Sequence, residues 1–294
     1  ALMPGTRNAG RACATMTPSA MRDNTTYAVR SRMSRYSDVA FISLHEEGIY
    51  TPHQLRHSMD SISTGSDALN DLLDGGFEPG IISTVYGPSG AGKTNIVLMA
   101  AVTVASSGKK VIFIDTEGGF SVERLRQLCD DHQKVLGNIM FLQPTTYKEQ
   151  LETITKLPQL INDRIGLIVL DSVAMLYRLE MGSRENPMDV NRELGLQLSY
   201  LTQIARQHGI PVLVTTQVYS MFDEREKVGI SGGDLIRYGS KCLIELQVLK
   251  SGRRRAVIRK HRHLPEEKDI YFEIVNEGLK TVTPGKGFVL FGKD

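Results

Sequence analysis

Gly87-Pro88-Ser89-Gly90-Ala91-Gly92-Lys93-Thr94 is the stretch from which the rest of this chain can be read. It matches G-x-x-x-x-G-K-[ST] and stands between a short apolar run, residues 81–86, and a helix-patterned segment, 94–106. A strand before and a helix after is the context this phosphate-binding loop requires. The glycines let successive backbone N–H groups turn inward around phosphate oxygens, and the helix N-terminus adds its positive end. Lys93 is then expected at the β- and γ-phosphates of a nucleoside triphosphate, and the Thr94 hydroxyl on Mg²⁺. All eight residues from Gly87 to Thr94 are candidate nucleotide contacts.

Outward from the loop, strand and helix patterns alternate. Residues 110–115 (KVIFID), 139–142, 166–170 (GLIVL) and 211–216 (PVLVTT) read as strands. The last two are continuously apolar, as strands buried on both faces are. Helical patterns cover 121–135, with Ser121 as N-cap, then 147–161 with a break near Pro158, and 193–208. This order demands parallel β-α-β crossovers. Three further strand-like runs, 242–249, 256–260 and 270–275, have short connections and read as antiparallel additions to the same sheet. The expected fold is α/β, a mostly parallel twisted sheet with helices on both faces.

Three polar residues fall at strand ends, where ligands of open α/β sheets gather. Asp171 closes 167–170 and suits an acid that holds Mg²⁺. Glu117, in Asp115-Thr-Glu-Gly-Gly119, could orient and deprotonate an attacking water, although acids before Gly-Gly are also common turn residues. Gln217 ends PVLVTT and could sense the γ-phosphate. The catalytic candidates are thus Lys93, Glu117 and Gln217. Residues 177–192 and 218–237 read as long loops on this same side, and long loops are commonly functional.

The chain has 294 residues and a formal net charge of +2, with three cysteines and no C-x-x-C pair. Nothing suggests a disulfide framework or zinc site, and no apolar run approaches the ~18 residues of a membrane span. Charge is uneven. Residues 1–58 hold seven Arg and four acids, which leaves 28 basic and 29 acidic residues for 59–294. A nucleic-acid site must therefore be a local patch. Residues 250–263 (KSGRRRAVIRKHRH) carry seven Lys/Arg, two His and no acid. Arg253, Arg254, Arg255, Arg259, Lys260, His261 and Arg262 are the candidate DNA contacts; the alternative is a solvated charged edge strand.

Residues 1–40 are rich in Arg, Ser, Thr, Met and Ala without a sustained period, and read as mostly disordered. Segment 1–58 is read as an extension outside the folded core, as a disordered arm, or as a transit peptide, and 59–294 as the core. Residues 39–57 could form a short helix, and His45, His53 and His57 read as surface histidines.

Taken together, Ser63 to Gly76 (STGSDALNDLLDGG), the phosphate-binding loop, Ile114 to Leu125 (IDTEGGFSVERL), Leu167 to Ser172 and Thr215-Thr-Gln217 resemble the RecA/RadA recombinase superfamily, and within it the archaeal RadB family of RadA paralogues. The resemblance covers roughly residues 60–283. It implies a RecA-like core that binds ATP and Mg²⁺ through Lys93, Thr94 and Asp171. Glu117 would activate water, Arg124 would lie against the adenine, and Gln217 would open the second DNA loop, residues 177–192 corresponding to the first. Arg259-Lys-His-Arg262 resembles a basic element of RadB proteins associated with DNA contact. RadA-type recombinases carry a helix-hairpin-helix domain and an F-x-x-A assembly motif before the core, whereas Phe41-Ile-Ser-Leu44 lacks the Ala. This departure implies an accessory, DNA-binding repair role beside a RadA-type recombinase and a Holliday-junction resolvase, in the cytoplasm at the nucleoid, with weak ATPase activity and no strand exchange. A filament-forming recombinase and a KaiC-like ATPase acting on proteins are the alternatives.

Overall fold

The computed structural model describes residues 61–220, 228–249 and 252–283. All of them fall in one compact unit, His57–Asp294. The segment 1–58, with Phe41 to Leu44, His45, His53 and His57, lies outside the described residues.

Among the described residues, ten strands form one sheet. In chain order they are β1 (Ile82–Gly87), β2 (Lys110–Asp115), β3 (Ile139–Leu142), β4 (Ile165–Asp171), β5 (Val212–Ser220), β6 (Val228–Ile230), β7 (Cys242–Val248), β8 (Arg254–Lys260), β9 (Asp269–Val275) and β10 (Gly278–Thr281). Across the sheet the order is β10-β9-β8-β7-β1-β5-β4-β2-β3, and off this path β6 pairs with β5. The stretch from β7 to β3 is parallel, and β8, β9 and β10 add antiparallel. The expected α/β class and its antiparallel tail are both present.

Strand residues alternate between two cores, as the two-residue period of a strand requires. Val111, Phe113, Leu167 and Val169 enter one cluster, while Ile112, Ile114, Ile168 and Leu170 enter the other. Both faces are covered, which explains why these strands read as continuous apolar runs. On the first face lie α1 (Asp67–Leu72) and α2 (Lys93–Ser106). α2 is buried nearly all round, including Ile96, Val97, Leu98, Met99 and Ala100. A helix apolar on every side needs cover on every side, and the tail strands help to supply it: Gly278 of β10 sits against the Met99 side chain. The second face takes α5 (Tyr147–Lys156), α6 (Met175–Ser183) and α7 (Pro187–His208).

Several expectations need correction. The helix expected over 121–135 is two, α3 (Val122–Leu128) and α4 (His132–Gly137), because the Asp131 carboxylate accepts from Lys134 N and caps a new start. The loop expected over 177–192 is mostly helical. α7 begins at Pro187, with the Asn186 side chain accepting from Met188 N. The second expected loop, 218–237, carries the antiparallel β5–β6 pair and then α8 (Gly233–Gly239). Gln217 lies inside β5 and does not end it.

The chain leaves β1 and returns to the sheet at β2, three strands away, beyond β5 and β4. A crevice opens at such a place, outside the carboxyl ends of the strands, and the phosphate-binding loop occupies it. Gly87 also abuts β7: a Cβ there would lie 2.4 Å from the Leu246 carbonyl oxygen. Gly87→Ala must therefore push two paired strands apart. A loss of about 1–3 kcal/mol is expected, read as a melting temperature lower by roughly 2–4 °C for each kcal/mol. An unchanged melting temperature would contradict this packing.

Candidate nucleotide site

Strand register gathers the polar strand ends on one edge. Asp115 pairs with Asp171 across β2 and β4, and Gly87 pairs with Gln217 across β1 and β5. Lys93, at the first turn of α2, is buried, and its Nζ donates to the carbonyls of Gly87 (3.1 Å) and Pro88 (2.9 Å). Burial pulls its pKa below the usual lysine value, while Glu117 and Asp171 oppose that shift. Its Nζ lies inside the loop with two carboxylates nearby.

Asp171 is 3% exposed. Its carboxylate accepts from the hydroxyl of Thr215, and the Thr94 side chain lies beside it. Burial raises its pKa against the pull of those two side chains, with the charges of Glu117 and Asp115 acting in the same direction as burial. A buried carboxylate with two hydroxyl side chains beside it is a set of hard oxygen donors of the kind Mg²⁺ takes. The residues present thus fit the ion, and Thr94 and Asp171 are the ones that would hold it.

Glu117 is placed by neighbours that sequence reasoning did not single out. Asp115 Oδ1 accepts from the backbone N–H of Glu117 and of Gly119, and Oδ2 from Phe120, all at 3.2 Å. Thr116 donates to the Ser172 carbonyl at 2.8 Å and accepts from its N–H at 2.9 Å. Ser172 Oγ then donates to Glu117 Oε1 at 2.5 Å. The β2 and β4 ends are thereby locked together with one carboxylate oxygen held. The signal was present in Asp115-Thr-Glu and Asp171-Ser, but only the register shows these residues to be neighbours.

Gln217 is half-buried, and its side-chain amide has no hydrogen bond among the described residues. Its carbonyl accepts from Ser231 N at 2.9 Å, and Thr216 Oγ1 donates to the Ser231 carbonyl at 2.9 Å. The same strand thus touches Asp171 through Thr215 and the β6–α8 segment through Thr216 and Gln217. Beyond it, a cleft of about 630 Å³ is lined by Tyr177, Arg178 and Asn191 on one side and Ser231 to Leu235 on the other.

Arg124 reaches from α3 to Asn95 Oδ1 (2.7 Å) on α2 and to the carbonyl of Asn276 (3.0 Å) at the β9–β10 turn. The residue lies beside the helix that follows the phosphate-binding loop.

The basic run is the part the fold changes most. Its own sequence has no acid, but neighbouring elements supply them. Arg253 pairs with Glu273 and Arg255 with Asp269, both on β9; Arg259 pairs with Glu245 of β7 and with Glu267, and Arg262 with Glu78. Lys260 Nζ donates to the carbonyls of Arg237 and Ser240 at the end of α8. The His261 side chain is 2% exposed, and burial lowers its pKa. It is closed to a DNA backbone. Arg254 turns to the phosphate-binding loop. The uncompensated positive strand expected from the sequence is thus a largely neutralised one.

Glu78, His261 and His263 bring three ligand-type atoms within 4.8 Å of one another. Backbone N–H groups of His263 and Leu264 donate to His261 Nδ1 at 3.5 and 3.4 Å. That leaves the ring proton on Nε2, the nitrogen facing Glu78, whereas metal-bound histidines donate from the other nitrogen. Arg262 and His263 lie directly against the Glu78 carboxylate.

A glycine-rich loop between β1 and α2, an acid on a neighbouring strand end, a second carboxylate beside it and antiparallel tail strands define a RecA-type P-loop protein. The Rad51 family model matches residues 55–282. DNA repair and recombination protein RadB of Methanobrevibacter smithii is 38% identical over 221 residues, covering 73% of this chain and 93% of that protein. The RadB protein of Methanothermobacter thermautotrophicus is 40% identical over 219 residues, covering 72% and 92%. A crystal structure of the RadB recombinase matches with a TM-score of 0.66 at 36% identity, covering 76% of this chain and all of that one. The chain belongs to the Rad51 family, in its RadB group of DNA repair and recombination proteins. No helix among the described residues is long and apolar enough to cross a membrane.

Proposed function

We propose that this protein binds Mg-ATP and single-stranded or branched DNA as an accessory factor of homologous recombination, hydrolyses ATP slowly and does not exchange strands itself. The observation that carries the reading is the continuity of β5. One strand hydrogen-bonds Asp171 through Thr215 and reaches the segment around Ser231 through Thr216 and Gln217. A change at the triphosphate can thus be felt at the cleft between α6 and α8.

Lys93 and the loop amides bind the phosphates, and Thr94 and Asp171 hold the ion, which neutralises phosphate charge. Glu117 takes a proton from water at its free carboxylate oxygen while Ser172 fixes the other. Gln217, with its amide unpaired among the described residues, reports the γ-phosphate. Arg124 lies against the base. A RadA-type recombinase and a Holliday-junction resolvase are the proposed partners, and the cytoplasm at the nucleoid the proposed place.

The DNA path is proposed along the cleft. Arg178 lines it, and Arg237 lies on α8, which forms its other wall; neither has a carboxylate partner among the described residues. Such cations release counterions from DNA phosphates, so affinity should fall steeply with salt. Arg178→Glu with Arg237→Glu is expected to weaken single-stranded DNA binding at least tenfold in a fluorescence anisotropy titration. An unchanged affinity would move the contact away from this cleft.

A further inference from the structure

We propose that Arg254 is a ligand of the nucleotide polyphosphate, reaching it from the antiparallel tail of the same chain. The proposal rests on the nucleotide-binding reading above and deepens it.

Three arginines follow one another at the start of β8. Arg253 and Arg255 are each paired with an acid of β9. Arg254 has no carboxylate partner among the described residues. Its Nε and Nη2 instead donate to the Gly90 carbonyl at 3.3 and 3.2 Å, and Nη1 donates to the Gly252 carbonyl at 2.6 Å. The aliphatic stem crosses the loop: Arg254 Cδ lies 3.9 Å from where a Cβ on Gly92 would be. The guanidinium is therefore at the rim of the phosphate-binding loop.

Two backbone carbonyls are weak partners for a full charge. Phosphate oxygens accept the planar fork of an arginine in pairs and at short range. The charge balance of the site points the same way. Asp115, Glu117 and Asp171 stand on the far side of the loop, and Lys93 is the one buried cation among the described residues. A Mg-bound triphosphate remains negative, and a second cation at the rim compensates it. There is room for the movement, since nothing lies within 4 Å of a Cβ placed on Gly90. On binding, the guanidinium exchanges the Gly90 carbonyl for phosphate oxygen, while the other arginines of the strand stay in their ion pairs.

A DNA phosphate offers the same chemistry, and the test separates the two sources. Full-length wild type, Arg254→Ala, Arg254→Lys and Lys93→Ala are titrated with a fluorescent ATP analogue, and separately with single-stranded DNA in the absence of nucleotide. Arg254→Ala should bind the nucleotide about tenfold more weakly, Arg254→Lys should recover only part of the loss, and DNA affinity should stay within about twofold of wild type. Wild-type nucleotide affinity in Arg254→Ala, or a loss confined to DNA, overturns the proposal. Should the alanine variant not fold, the lysine variant decides: a loss of about threefold or more supports the contact, and an unchanged affinity removes it. Sensitivity at Lys93 with none at Arg254 defeats this inference alone, whereas no nucleotide binding by wild type defeats the reading beneath it.

Discussion

Lys93→Ala is expected to lower affinity for Mg-ATP by about two orders of magnitude. A hydrogen bond to a charged group contributes roughly 1.5–3 kcal/mol, and 1.4 kcal/mol is tenfold in affinity. The upper end applies here because the ammonium is buried and already aimed into the loop, on the carbonyls of Gly87 and Pro88. The substitution also leaves Glu117 and Asp171 facing an incoming polyanion without the cation that opposes them. Titration with a fluorescent nucleotide reads the effect directly. An affinity within threefold of wild type would mean that the triphosphate does not sit where Lys93 points.

Glu117→Gln should behave differently. The amide keeps the size of the side chain and can still accept from Ser172 Oγ, so the turn ordered by Asp115 should survive and nucleotide affinity should change little. What it loses is the ability to take a proton. General-base catalysis contributes typically 10²–10⁴-fold, and single-turnover hydrolysis should fall by that order. Binding and turnover are thereby separated in one variant. Normal hydrolysis with Gln at 117 would hand the role of base to another group.

The order of strands and helices was legible because the chemistry is local. Residues 110–115 and 139–142 are β2 and β3 with no change of bounds, since β-branched and apolar runs between helices leave little choice. The placing of the candidate site was legible where one motif carries it, at Gly87 to Thr94, and where a polar residue ends an apolar strand, at Asp171. Other features needed the fold. Asn186-Pro187 reads as a turn, but Asn at the N-cap and Pro at the first helical position start α7. β10 is short, polar and at the sheet edge, so no periodicity marks it. The meaning of the basic run depended on acids brought by other elements, Glu78, Glu245, Glu267, Asp269 and Glu273. A segment's own composition does not report those ion pairs, nor the one arginine turned to the nucleotide loop.

In the proposed function ATP is a conformational ligand, coupled through β5 to the cleft proposed for DNA. Linkage requires that such coupling be visible in binding alone. The measurement is the affinity for single-stranded DNA with and without Mg²⁺ and a non-hydrolysable ATP analogue, in wild type and in Gln217→Ala. The prediction is a gain of at least fivefold on adding the analogue to wild type, and none in Gln217→Ala. Equal DNA affinity with and without the analogue in wild type would contradict it.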